Sequence, residues 1–127
     1  AMGAELKNLP PESQAYQNLF QTRKQFSQDV VKMVQSHYVF TNFRGQKKPL
    51  AEAFASDRGI PGGVGDCCAP KLLNYAATHN LTPKGLAEFY WGEPTKSGNK
   101  QPGQFYAPCE SRCEPILGFL LCGADGA

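Results

Sequence analysis

Four of the chain's five cysteines fall into two pairs, Cys67 with Cys68 and Cys109 with Cys113. Each pair stands just ahead of an apolar run that reads as a helix, in "GDCCAPKLLNYA" and in "YAPCESRCEPILGF". Zinc takes three or four thiolate or imidazole ligands in a tetrahedron, and a pair spaced within one turn plus a ligand from another helix satisfies it. Cys109 and Cys113 are four positions apart, which places them on one face of a helix, and a helix N-terminus favours the thiolate form that binds metal. Cys67, Cys68, Cys109 and Cys113 are therefore the candidate ligands, and zinc is the candidate cofactor. The alternative needs no metal: free cysteine is among the most often buried residue types and packs as a small apolar group. Both readings stay open on spacing alone.

The pairing also resembles the zinc-dependent nucleobase deaminases, in which one helix starts with a metal ligand, a small residue and Glu, and a later one with Pro-Cys-x-x-Cys. Here "PCESRC" holds three residues between the cysteines, and the glutamate is missing. Ala69 stands two places after Cys67 and Pro70 two places after Cys68. Loss of the proton-shuttling carboxylate would cost a factor on the order of 10² to 10⁴ in rate, so only Asp66 or Glu88, reaching in from elsewhere, could restore it. Glu88, on an otherwise apolar stretch, is either buried with a partner such as Lys71 or placed at a strand edge. Neither histidine supports an enzyme, since His37 ends one helix and His79 lies near the end of another. No catalytic residue is assigned.

The elements that must hold these residues follow from hydrophobic periodicity. Between Pro11 and His37 the residues Tyr16, Leu19, Phe20, Phe26, Val30, Met33 and Val34 recur every three or four positions, one stripe of a long amphipathic helix predicted over 11–37. Arg23 interrupts a stripe that otherwise resembles a short heptad seam, so the helix either packs on its own domain or pairs with a second copy as a homodimer. "HYVFTNFRG" predicts a strand and a turn at Gly45. "PLAEAFA" fits a strand or a short helix. "SDRGIPGGVG", with four glycines and a proline, is a loop that lacks the lysine of a phosphate-binding loop. Pro70 suits the first turn of a helix ending near His79, and "KGLAEFYWG", apolar on both alternating faces, predicts an inner strand. "EPTKSGNKQPG" is an exposed loop, and a last helix is predicted over 109–122. The fold class is then α+β: a small sheet of two or three strands flanked by helices, with a long N-terminal helix, as in an abbreviated deaminase-like fold. Residues 1–10 are expected to be irregular or tag-derived, 11–123 to form a single domain and 124–127 a tail.

Bulk properties bound the function. With 127 residues and 41% hydrophobic content the chain has room for one modest core. The net charge of +2 carries no nucleic-acid signal by itself, but Arg44, Lys47, Lys48 and Lys71 can meet phosphate. The longest apolar run, Ile116 to Cys122, falls far short of the roughly 20 residues of a membrane span. An odd number of cysteines, five, with no secretion signal points to the cytoplasm.

Taken together, "GVGDCCAPKLLNYAATHNLTPKGLAEFYWG" and "GQFYAPCESRCEPILG" resemble the region preceding the catalytic domain in long RluA-like RNA pseudouridine synthases, over roughly Phe40 to Cys122. The family isomerises uridine with an aspartate in a His-Arg-Leu-Asp segment, and no such segment exists here: His37 precedes Tyr38 and His79 precedes Asn80. The resemblance therefore implies a noncatalytic accessory domain that assists recognition of structured RNA, ribosomal or transfer RNA, for its synthase, or sets its assembly.

Overall fold

The computed structural model describes residues 1–57 and 59–125, in two compact units, Ala1–His37 and Tyr38–Ala127. In the first unit, helix α1 (Met2–Leu6) packs against helix α2 (Gln14–Ser36). Residues 1–10, expected to be irregular, thus contain a helical turn. Its residues include the good helix formers Met, Ala, Glu and Leu, and Leu6 is buried. The long helix begins at Gln14 instead of Pro11 because Ser13 caps it, its Oγ accepting the Tyr16 N–H at 3.1 Å. α2 has no buried residue. Phe20, Phe26, Val30, Met33 and Val34 all remain exposed along it.

The second unit is α+β. Strands β1 (Val39–Thr41) and β2 (Lys47–Pro49) form a two-stranded antiparallel hairpin in the register Phe40↔Lys48. Its turn is organised by the buried side chain of Asn42. Asn42 Oδ1 accepts the backbone N–H of Arg44 at 3.1 Å and of Gln46 at 2.9 Å, local bonds that Asn makes better than most residues. Beyond the hairpin, Asn74 Oδ1 accepts the Thr41 N–H at 2.7 Å and the Cys122 carbonyl accepts the Phe43 N–H at 3.0 Å.

"PLAEAFA" resolves as a short helix, α3 (Leu50–Ala53), as its alanines and glutamate favour. Helices α4 (Cys68–Thr78) and α5 (Glu114–Leu120) pack on each other, and with the hairpin and α3 they enclose Phe40, Leu50, Ala53, Phe54, Val64, Leu73, Ile116 and Leu120. α5 is shorter than predicted because 110–113 forms a turn and Pro115 belongs to the first helical turn. α4 stops where Asn80 takes φ 54°.

The inner strand expected in "KGLAEFYWG" is corrected. That segment is extended, but its only bridge among the described residues is Phe89↔Phe105, and Phe89 and Trp91 face outward. Apolarity on both faces was a poor guide here, because no sheet of the fold lies alongside to cover them.

Gly65 sits at the entry to the cysteine motif, buried, with φ +86°. A Cβ there would lie 2.9 Å from Phe40 Cζ and 3.3 Å from Tyr38 Cδ2. Gly65→Ala combines about 1–2 kcal/mol for left-handed backbone with about 1–3 kcal/mol for overpacking. Urea unfolding is expected to show a loss of about 2–5 kcal/mol from those two contributions.

Candidate metal centre

Cys67 ends the Gly-rich loop as the N-cap residue of α4 in extended backbone, and its side chain makes no capping bond. The vacant capping role is taken by Glu88, whose Oε1 accepts the Ala69 N–H at 2.8 Å. Glu88 is half-buried, and its partner is this amide rather than a cation such as Lys71. A carboxylate at this end also suits the partial positive charge of the helix N-terminus.

On the opposite side, the Cys109 carbonyl accepts three backbone N–H groups, from Arg112 at 3.1 Å, Cys113 at 3.1 Å and Glu114 at 3.2 Å. That turn folds the chain back so that Cys113, fully buried at the start of α5, returns to Cys109. The Sγ atoms of Cys67, Cys109 and Cys113 then lie within 4.8 Å of one another. A tetrahedral zinc with bonds of about 2.3 Å needs its sulfurs about 3.8 Å apart, a separation inside the 4.8 Å limit within which these three lie. The three residues can hold a metal ion. Cys68, exposed, and Cys122, half-buried, lie outside the group.

The thiols of Cys67 and Cys109 are electrically unequal. Burial pushes the Cys67 thiol up to about 12, and its hydrogen bonds and charge interactions with Cys113 and Cys109 add to that. Burial would raise Cys109 as well, but the Cys113 N–H and the thiols of Cys113 and Cys67 outweigh it and hold Cys109 below its ordinary value. Without metal, Cys109 therefore gives up its proton more readily than Cys67. A metal has to displace the remaining protons, which couples its affinity to pH.

Neither carboxylate considered from the sequence joins the sulfurs. Asp66 accepts a hydrogen bond from the Tyr38 hydroxyl, which, ahead of burial and the Asp66 charge, raises the Tyr38 pKa. His37 caps α2 in the first unit, and His79 stacks on Tyr75 with ring centroids 3.8 Å apart. Among the described residues the donor set is thus three sulfurs.

The four basic residues all lie in the second unit and are exposed. Arg44 and Lys47 flank the hairpin turn, Lys48 places its Nζ 5.4 Å from the centre of the Phe119 ring, and Lys71 is on α4. Sequence reasoning missed a separate group: Phe89, Trp91 and Phe105, which form an exposed aromatic cluster. Gly92 and the polar loop after Trp91 were the available signal, since they leave the segment without a strand partner.

Compared with known proteins, the chain matches no family model, no curated protein and no solved structure.

Two outcomes check this geometry. Iodoacetamide at neutral pH is expected to modify Cys109 well before Cys67 in metal-free protein, read by peptide mass spectrometry, because the thiolate is the nucleophile. Glu88→Ala should lower stability by about 1 kcal/mol, the usual worth of a lost cap, with Glu88→Gln recovering much of it in the same denaturation assay.

Proposed function

We propose that this chain is a noncatalytic accessory domain of an RluA-like RNA pseudouridine synthase in the cytoplasm, held in shape by a structural zinc and assisting recognition of structured ribosomal or transfer RNA. The observation that carries the reading is the meeting of three sulfurs from the two motifs on which the family resemblance rests. Cys67 comes from the first motif, and Cys109 and Cys113 come from the second. Zinc held by thiolates in such a site ties distant segments together without entering a reaction. The lack of a carboxylate at the sulfurs fits a structural role better than a deaminase.

In this reading Arg44 and Lys47, beside the hairpin turn, and Lys48 and Lys71 contribute phosphate contacts, which position RNA without reading its sequence. Their contribution is electrostatic and weakens with salt. A second reading, a dimerisation scaffold, is favoured by α2, whose apolar stripe has no buried residue. A chain that sediments as a monomer at high concentration would remove it.

Protein purified without chelator is expected to carry about one zinc per chain, lost in both Cys67→Ser and Cys109→Ser, while Cys68→Ser retains it. Folded, metal-free wild-type protein would falsify the zinc part. For the RNA part, the isolated chain should bind a structured transfer RNA in a filter assay at low salt, and deleting it should weaken RNA binding by the synthase. Unchanged affinity after deletion, with no binding by the chain alone, would remove that role.

A further inference from the structure

Trp91 is 85% exposed, Phe105 70% and Phe89 54%. These three rings are contiguous. Phe89 makes edge-to-face contacts with Trp91, centroids 6.3 Å apart, and with Phe105, centroids 6.0 Å apart. Large exposed apolar clusters of this kind mark interaction surfaces.

The cluster is braced from behind. Tyr90 N–H donates to the Gln104 carbonyl at 3.0 Å, Gly103 N–H to the Tyr90 carbonyl at 2.8 Å, and Tyr106 N–H to the Glu88 carbonyl at 3.0 Å. These bonds make a narrow ribbon of residues 88–91 and 103–106. Residues 89 and 91 project from the same side of an extended chain, and the Phe89↔Phe105 bridge sets the third ring opposite the first. The backbone beneath the rings is therefore fixed, which lowers the ordering entropy that opposes a ligand stacking on them.

We infer that this aromatic ledge is a stacking platform for the bases of an unpaired RNA segment, an inference that rests on the RNA reading above and names the surface and the form of RNA it takes. The chemistry around the rings favours this occupant over an apolar protein face. The flanks are polar: the Tyr106 hydroxyl accepts the Gln101 N–H at 2.8 Å, and the Tyr90 hydroxyl donates to the Glu93 carbonyl at 2.9 Å. Lys84, Lys96 and Lys100 are the cations of this stretch, with Lys100 Nζ 3.8 Å from the centre of the Tyr106 ring. Of its two carboxylates, Glu88 and Glu93, the first already accepts the Ala69 N–H. Bases stack on rings whatever their identity, and lysines of the same stretch are available to the phosphates. A paired helix hides its base faces and cannot use the ledge.

Trp91 is the single tryptophan of the chain, so its fluorescence reports on the ledge directly. The 127-residue chain would be titrated with an oligouridine of about ten nucleotides, within the usual site size for single strands, and with a duplex of equal length. Binding of the single strand is expected to quench Trp91, with the duplex weaker. Phe105→Ala should weaken the quenching titration, and Trp91→Ala the anisotropy of labelled RNA, by roughly tenfold or more each, as loss of a stacking ring does. Both variants change exposed side chains, and unchanged circular dichroism establishes that they fold. Equal RNA affinity in wild type and both variants would overturn the ledge and leave the RNA reading to Arg44, Lys47, Lys48 and Lys71. No binding of either RNA at low salt would overturn the RNA reading itself. A concentration-dependent shift of Trp91 emission without RNA, abolished by Phe105→Ala, would assign the ledge to self-association and overturn the inference.

Discussion

The second unit depends on one junction, where the N-terminus of α4 meets the turn before α5 at three sulfur atoms. A domain of this size has little apolar surface to bury relative to the entropy it must overcome. Among the described residues its core cluster contains eight apolar residues, drawn from the hairpin, two helices that follow it and a loop on one side, and α5 on the other. Segments as far apart as Gly65 and Cys113 must be held in register for that core to close. The three sulfurs lie where the two halves of the core come together, so an ion bound by them would cross-link those halves, much as metals stabilise other small domains.

Two local devices make the junction geometrically possible. The Cys109 carbonyl gathers three amides, which curls the chain tightly enough to bring Cys113 back beside its neighbour. The Glu88 carboxylate takes over capping of α4, which frees the Cys67 side chain to face the other sulfurs. Position 67 can thus be a ligand because position 88 does the work that a Ser or Asp would do at a helix start. Glu88 also bonds through its own carbonyl to Tyr106, three residues before Cys109, so the same residue aligns both sides.

Much of this was legible in the residues, and the failures have physical causes. Strand β1, the Gly45 turn, the Gly-rich loop and α4 follow from β-branched and aromatic runs and from Gly and Pro placement, which are local signals, whereas β2, Lys-Lys-Pro, carries no such run and forms by pairing with β1. Cysteine spacing identified Cys67, Cys109 and Cys113 but could not separate Cys67 from Cys68, since adjacent residues at a helix start differ only in direction. The segment around Phe89 was misread because alternation reports that side chains point to two faces, not that anything covers them. Glu88 was recognised as unusual on an apolar stretch, yet its partner was a backbone amide, which sequence does not display. The start of α2 was set by Ser13, a stronger determinant than Pro11 nearby.

The hydrogen bonds from Thr41 to Asn74 and from Phe43 to Cys122 bear on how this protein behaves in a crowded solution. Both amides point away from β2, along the border of β1 where a further strand would add. An open border of that kind is a template for chain-to-chain pairing and aggregation. Here a helix side chain and the carbonyl of Cys122, just past the end of α5, already occupy those donors. A sheet of two short strands is thereby self-limiting along β1, and recruiting another chain there would require breaking two bonds that tie the hairpin to the segments around it.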